Sequence, residues 1–118
     1  MRYALLIYSD QSAWAGLSDE EKATLRDEDM PHWISAMEEL GKADPSLTGY
    51  ELDEARGAKV VRVRDGERIV TDGPFAETKE VVGGLFLVDV PDLDEAIRLA
   101  ALVPTARHGS MEIRPIAE

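Results

Sequence analysis

The hydrophobic pattern of the chain alternates short apolar runs with stretches in which apolar residues recur every three or four positions. Tyr3 to Tyr8 is a nearly continuous apolar run, which is typical of a central strand buried on both faces. Asp65-Gly66 is the dipeptide that a two-residue type I′ hairpin turn favours. It is flanked by two strand-like segments, Lys59 to Arg64 and Glu67 to Thr71. These segments predict one buried strand and, later in the chain, a β-hairpin.

Three further segments have strand character. Val81 to Val90 is a long apolar run interrupted by Gly83-Gly84, which predicts a bulge or the close approach of another backbone. Leu47 to Leu52 is a weaker strand candidate, and Gly109 to Ile116 returns as the final strand. Because Pro115 has no N–H for a sheet ladder, its position fits a strand end or an edge strand.

A helix start signal follows the first strand. Ser18 to Glu21 has the S-x-x-E form of a capping box, so a helix is expected to begin at about Asp19. Pro31 removes one i→i−4 hydrogen bond, which predicts two helical pieces, the first ending at Asp29 or Met30.

A second helix is expected from the Asp92 cap to about Leu102. Both helical regions should present one apolar face to the sheet. The residues expected on these faces are Trp33, Ile34, Met37 and Leu40 in the first region, and Leu93, Ile97 and Ala100 or Ala101 in the second.

The order strand, helix, strands, helix, strand predicts a single α+β domain over residues 1–118. The expected architecture is a ferredoxin-like sandwich, in which an antiparallel sheet carries two main helices on one face. A chain of 118 residues has room for one hydrophobic core, and the uncovered face of the sheet needs a partner. A second copy related by a two-fold axis would supply it, so a homodimer is expected.

Charge and cysteine content exclude several classes of function. The chain has 24 acidic and 13 basic side chains, and a net charge of −11 would repel a phosphate backbone or an anionic membrane surface. It has no cysteine, which excludes disulfides, thiolate metal sites and a cysteine nucleophile. The run from Tyr3 to Tyr8 is too short to span a bilayer, and no signal peptide is recognisable, so a cytoplasmic protein is expected.

Sequence motifs for common cofactors and metals are also missing. The chain contains no P-loop, no G-x-G-x-x-G dinucleotide fingerprint and no G-x-S-x-G nucleophile elbow. His32 and His108 are its only histidines, and no H-x-x-x-H or H-x-H spacing occurs. We therefore expect neither a cofactor nor a metal ion.

The segment from Asp72 to Glu80 has the composition of a binding loop. Asp72-Gly73-Pro74 strongly favours a turn. Phe75 then adds a flat apolar ring next to acidic and basic side chains. Such a loop suits a small ligand or another subunit. The alternative is a polar connector with Phe75 packed into the core, and residue types alone leave both interpretations open.

The sequence resembles the DGPF-motif proteins of the YCII-related family in three segments. These are Asp72 to Glu80, the opening Met1 to Tyr8 and the ending Gly109 to Ile116. The resemblance runs nearly end to end, and Val61 to Gly66, Gly83-Gly84 and Val90 to Ala96 agree in the same order. It implies a dimeric α/β barrel, in which the sheets of two protomers face each other, in a bacterial-type cytoplasm.

The resemblance also implies a pair of candidate catalytic residues. Related proteins are described with an aspartate just after the first strand and a histidine in the first helix, and Asp10 and His32 occupy comparable places. A carboxylate on the imidazole N–H would fix the tautomer and raise the basicity of the ring, as a general base requires. The alternative is that His32 is a helix-surface residue beside Pro31, and His108 reads as a solvated loop residue.

Two functions follow from these observations. The first is a binding or regulatory module with a small-molecule ligand and, as the resemblance implies, a protein partner related to sigma-factor signalling. The second is an enzyme that uses Asp10 and His32 for proton transfer on a small metabolite. The candidate ligand-binding residues are Tyr8, Asp72, Gly73, Pro74, Phe75, Thr78 and Lys79.

Overall fold

A computed structural model describes residues 1–75 and 79–118. The strands are β1 (Arg2–Ser9), β2 (Thr48–Glu51), β3 (Lys59–Arg64), β4 (Glu67–Asp72), β5 (Val81–Asp89) and β6 (Ser110–Pro115). The α-helices are α1 (Gln11–Ala15), α2 (Asp19–Ala43) and α3 (Leu93–Leu102), and short 3₁₀ segments cover Ala55–Gly57 and Pro104–Arg107.

Four strands form an antiparallel sheet in the order β2-β5-β1-β6, and β3 pairs with β4 as a separate two-stranded hairpin. Leu5 at the centre of β1 stands opposite Phe86 of β5 and Ile113 of β6. The α+β architecture with an antiparallel sheet is therefore confirmed. The sheet formed by the described residues is open and does not close into a barrel.

The hydrophobic core lies between the two long helices and one face of the sheet. Tyr3 and Leu5 from β1 and Phe86 and Val88 from β5 are buried there against Leu40 of α2. From α3, the buried members of the same cluster are Ala96, Leu99 and Ala100. The opposite face of the sheet carries no helix among the described residues.

Helix α2 passes through Pro31 without a break, so the prediction of two helical pieces was wrong. A proline inside a helix removes the hydrogen bond to residue i−4, here Asp27, and its ring crowds that carbonyl, but packing of the helix against the sheet can offset this cost. Pro31 lies on the exposed side of α2, where solvent can hydrate the released carbonyl. The predicted capping box does start this helix, because Ser18 Oγ accepts from the Glu21 N–H and Glu21 Oε1 accepts from the Ser18 N–H.

The buried faces of both helices differ from those predicted. In α2, Trp33 and Leu40 do pack toward the core, but Ile34 and Met37 are exposed and Ala36 is buried instead. In α3, Ala100 is buried as expected, whereas Leu93 and Ile97 are exposed and Ala96 and Leu99 are buried. Alanines let each helix approach the sheet closely, so the larger apolar residues beside them are left on the outside.

The predicted hairpin and bulge are both confirmed. Asp65 and Gly66 adopt positive φ values of 51° and 77°, as a type I′ turn requires. Ile7 stands opposite Gly84 and Tyr8 opposite Val82, so Gly83 is the extra residue of a β-bulge. Strand β6 is an edge strand that ends at Pro115, which fits the missing N–H of proline.

Asp44 connects the end of α2 to the sheet and is the buried acidic residue of the described core. Its Oδ1 accepts from the Ser46 hydroxyl at 2.6 Å and the Ser46 N–H at 2.9 Å, and its Oδ2 accepts from the Asp89 N–H at 2.9 Å. These hydrogen bonds hold the pKa of Asp44 below its usual value. The bond from the Ser46 hydroxyl has the largest effect.

We expect Asp44→Ala to lower the free energy of unfolding by about 1–3 kcal/mol, because it leaves the N–H groups of Ser46 and Asp89, in partly buried hydrogen bonds, without this acceptor. The folded-state pKa lies below the unfolded one, so this stabilisation is present above the unfolded pKa and is lost as pH falls through the folded pKa. Urea unfolding at neutral and acidic pH should therefore show a smaller difference between variant and wild type in acid. Asp27→Ala on the exposed side of α2 is the control, with an expected change within about 0.5 kcal/mol.

Candidate functional site

An open groove of about 640 Å³ lies at the base of the β3–β4 hairpin, between the hairpin and the adjoining ends of β1 and β5. Its size falls within the range of small-molecule sites, about 300–1,000 Å³. The lining residues are Tyr8, Leu52, Asp53, Glu54, Ala55, Gly57, Ala58, Pro74, Phe75, Glu80, Val81 and Val82. Two of the candidate segments from the sequence, the end of β1 and the loop after β4, thus meet at one site.

Backbone hydrogen bonds hold the walls of the groove in place. The Gly73 N–H donates to the Ala58 carbonyl at 2.9 Å, with Gly73 at a φ of 89° that favours glycine. The Leu52 N–H donates to the Gly83 carbonyl at 2.9 Å and ties the segment after β2 to β5. One bond thus extends the β3–β4 pairing by one residue at the base of the hairpin, and the other holds the opposite wall of the groove against β5.

The bulge at Gly83 gives the groove part of its apolar wall. Residues directly opposite each other in an antiparallel pair point to the same face, and Tyr8 is opposite Val82. Without the extra residue, Val82 would alternate onto the helix-covered face with Gly84 and Phe86. The bulge instead turns Val82 toward Tyr8 and into the groove.

Hydrogen bonds among polar side chains on the open face of the sheet fix the position of the Tyr8 hydroxyl. Its hydroxyl donates to Glu112 Oε1 at 2.9 Å, and Arg114 donates to Glu112 Oε2 at 2.7 Å. The hydrogen bond to Glu112 raises the pKa of Tyr8, so the phenol stays protonated at neutral pH. Hydrogen bonds from Arg114 and Tyr8 lower the pKa of Glu112, which remains a carboxylate.

The residues of the loop after β4 take different positions. Asp72 is paired with Lys59 across the hairpin and is exposed, so its contact is with the hairpin itself. Pro74 and Phe75 line the groove, and the Phe75 side chain is 79% exposed. The guanidinium of Arg62 lies 5.6 Å from the centre of the Phe75 ring. Thr78 lies outside the described residues.

Asp10 caps the short helix α1. Its Oδ1 accepts from the Ser12 hydroxyl at 2.6 Å and from the Ser12 and Ala13 N–H groups at 3.1 and 3.2 Å. The Ser12 hydroxyl is the main reason that the pKa of Asp10 is lowered, and the nearby charge of Lys79 lowers it further. The charge of Lys79 therefore acts on Asp10, and Lys79 directly precedes the groove-lining Glu80.

His32 lies on the exposed side of α2. Its Nδ1 lies 3.4 Å from an Nη atom of Arg107, on the 3₁₀ segment before β6. The described contacts of Asp10 and of His32 have no residue in common. The proposed catalytic pair therefore stays a prediction, to be tested by substitution.

Several residues that form or support the groove could not be recognised as site residues from the sequence. The Gln11 side chain accepts from the Ala55 N–H at 2.8 Å and so connects the start of α1 to the groove wall. Glu112 reaches Tyr8 across 104 positions of sequence, and its i+2 neighbour Arg114 offered the one local clue. The segment Leu52 to Ala58 reads as a plain polar connector, yet it forms one side of the groove.

Among residues 1–75 and 79–118, no three histidine, aspartate or glutamate side chains are grouped closely enough to hold a metal ion. Within the same part of the chain, none of the helices has the length and apolarity needed to cross a bilayer.

Comparison with known proteins places the chain in a family. The sequence model of the YCII-related domain matches residues 1–118. The chain belongs to the YCII-related family. This YCII-related protein is also 40% identical over 123 aligned residues to an uncharacterized protein of Rhizobium meliloti (strain 1021), with 99% of this chain and 93% of the relative covered. The family is thus shown over the full chain, and the relative carries no functional description to transfer.

Proposed function

We propose that this YCII-related protein is a homodimeric binding module that holds a small organic ligand in the groove at the base of the hairpin. The observation that carries the proposal is the groove itself, which collects Tyr8, Pro74 and Phe75 around an apolar wall. Such a concave, mostly apolar site with a few polar groups is what small-molecule recognition requires.

The surface area of the protomer supports the dimer. A compact monomer of 13.0 kDa is expected to expose about 6,300 Å². This protomer exposes 8289 Å². The excess of about 1,900 Å² per protomer is the size that an obligate homodimer interface would cover, about 2,000–5,000 Å² for both partners.

The shape of the protomer supports the same conclusion. Its radius of gyration is 16.4 Å, and its principal extents are 47 × 45 × 19 Å. A compact chain of this length has a radius of gyration of about 13.5 Å. The protomer is a flat slab with a projecting hairpin, and an isolated two-stranded hairpin is at best marginally stable in water.

The open face of the sheet is the surface that a second copy would cover. Leu6, Leu85 and Leu87 lie there half-buried, and Tyr50 beside them is 62% exposed. On the hairpin, Val61, Val63 and Val70 share one face and are each more than half exposed. Covering these residues would remove apolar surface from water, which favours association.

The finer architecture that we propose is a ferredoxin-like protomer within a dimeric α/β barrel. The sequence of elements β1-α2-β2-β5-α3-β6 supports it, because it follows the β-α-β-β-α-β order with one hairpin inserted. Two open sheets set face to face would then enclose the barrel. Tyr8 belongs to both the open face and the groove, so the ligand site would border the dimer interface.

The setting that we propose is the cytoplasm, with a sigma-factor-related protein as the partner that responds to ligand. The support for both is the resemblance of the loop from Asp72 to Glu80 and of the flanking motifs to DGPF-type proteins. A ligand at the base of the hairpin would contact Phe75, whose exposed side chain is available to such a partner.

Screening a diverse metabolite library by ¹H–¹⁵N NMR tests the binding proposal. We expect at least one compound to shift the amide signals of Ala58, Val81 and Val82, which flank the groove. Phe75→Ala should weaken this compound's affinity by about tenfold, as expected for the loss of about 1.4 kcal/mol of aromatic contact. A library without any compound that shifts these signals would contradict the proposal.

His32→Ala separates this proposal from the enzyme alternative. Because His32 contacts Arg107 on the exposed side of α2, we expect its removal to leave ligand affinity within about twofold. If a library compound is instead turned over, and His32→Ala abolishes turnover while binding is retained, the enzyme interpretation replaces ours.

A further inference from the structure

We infer that the groove selects an organic cation, meaning an ammonium group joined to an apolar body. The inference rests on the proposed function and adds the chemical class of the ligand. Three features of the groove point to it: the charge of its lining, its two aromatic rings and its apolar wall.

The charged residues that line the groove are all acidic. Asp53, Glu54 and Glu80 contribute carboxylates, and no lysine or arginine is among the lining residues that the structure describes. With a net charge of −11 for the chain, the potential in this cleft favours a cation and repels an anion.

Three arginines near the groove are already engaged. Arg56 is paired with Glu54 at 2.5 Å, and Arg114 is paired with Glu112 behind Tyr8 at 2.7 Å. Arg62 lies over the Phe75 ring. An anionic ligand would have to draw these arginines away from the carboxylates and the ring, whereas Asp53 adds a carboxylate that has no ion-pair partner among the described residues.

The aromatic rings supply a second kind of cation acceptor. Tyr8 and Phe75 both line the groove, and the faces of such rings attract cations within about 6 Å of their centres. Arg62 already lies 5.6 Å from the Phe75 centre, so a ligand cation at this ring would share it with that guanidinium or displace it. A combination of aromatic rings and carboxylates is the recognition set for ammonium groups.

The remaining wall fits an apolar body. The small and apolar lining residues are Leu52, Ala55, Ala58, Pro74, Val81 and Val82. A cavity of about 640 Å³ leaves room for an aromatic or branched aliphatic group beside the ammonium. A small hydrated inorganic cation would leave this wall uncovered, so the ligand class is organic.

A charge series of three probes with one phenyl body tests the inference: 2-phenylethylammonium, 2-phenylethanol and 3-phenylpropionate. Titration of the full chain, followed by NMR at Ala58, Val81 and Val82, gives the affinity of each. We expect the ammonium to bind about tenfold more tightly than the alcohol, and the carboxylate to bind most weakly.

Two variants and one control assign the selectivity to the groove. Asp53→Asn keeps the acceptor that bonds the Glu54 N–H but removes the charge, so it should weaken binding of the ammonium probe more than binding of the alcohol. Phe75→Leu should weaken the ammonium more than the alcohol. Asp27→Asn on α2 makes the same charge change away from the groove, and the selectivity should remain.

The outcomes separate this inference from the proposed function. Preferred binding of the ammonium, reduced by Asp53→Asn, supports both. If the alcohol or the carboxylate binds at the same amides as tightly as the ammonium, the charge inference fails while the binding function stands. If none of the three probes binds, the charge inference also fails, and the library screen decides the binding function separately.

Discussion

Leu87→Arg is expected to prevent the proposed homodimer from forming. Leu87 lies on the open face of the sheet, opposite Ala4 of β1 and Thr48 of β2. In a face-to-face dimer, an arginine there would bury a charge without a partner, at a cost of several kcal/mol per ion. Sedimentation velocity at micromolar concentration should show the wild type at twice the 13.0 kDa chain mass and the variant at the chain mass.

Ile97→Arg is the matched control for this experiment. It introduces the same side chain at a residue of α3 that is 47% exposed, on the opposite layer of the protomer. We expect this variant to remain dimeric. If Leu87→Arg also remains dimeric, the open face is not the interface, and a folded wild-type monomer would overturn the proposed assembly itself.

Gly109→Ala is expected to lower the free energy of unfolding by about 3 kcal/mol, the upper end of the usual cost of overpacking. A Cβ atom at position 109 would lie 2.2 Å from the Tyr8 carbonyl oxygen and 3.2 Å from that of Thr105. Both of these atoms belong to the backbone, so no side-chain rotation relieves the clash. The strand pair β1–β6 would have to shift, and with it the Glu112 contact to Tyr8.

Gly41→Ala is the control for Gly109→Ala, because the same substitution is expected to raise the free energy of unfolding here. Position 41 lies within α2, and a Cβ there meets no atom within 4 Å. Alanine is favoured over glycine in a helix by about 0.5–1 kcal/mol, so this variant should be slightly more stable. The free energies of unfolding of both variants are measured by urea unfolding followed by circular dichroism, at one fixed protomer concentration. An unchanged stability for Gly109→Ala would show that β6 can move away from β1 at little cost.

Local structure could be predicted from the sequence wherever the signal and its effect lie within a few residues. Asp65-Gly66 forms the expected type I′ turn because the conformational requirement is met by the two turn residues themselves. Ser18 and Glu21 form the capping box because both partners lie in the first helical turn. The bulge at Gly83 follows from a glycine pair inside an apolar strand.

The candidate site was only partly predictable. The loop after β4 pointed to Pro74 and Phe75, and the exposed Phe75 agrees with a binding loop rather than a packed connector. Asp72, by contrast, is paired with Lys59 within the hairpin. Loop composition indicates that a surface is suited to binding, but it does not say which side chains the fold turns toward the ligand.

The sequence by itself determined the α+β class, the order of the strands and the two long helices, and the β3–β4 turn, since these depend on periodicity and on neighbouring residues, whereas helix α1 was not predicted. Only the tertiary structure decided which apolar residues are buried: Ala36 rather than Ile34 or Met37 in α2. It also kept α2 continuous through Pro31. The physical reason is that packing against the sheet selects one helix face by shape, and it supplies stabilisation that local propensity does not contain. The same non-local pairing brings Glu112 to Tyr8 and Ala55 to Gln11, and so builds the groove from residues far apart in the chain.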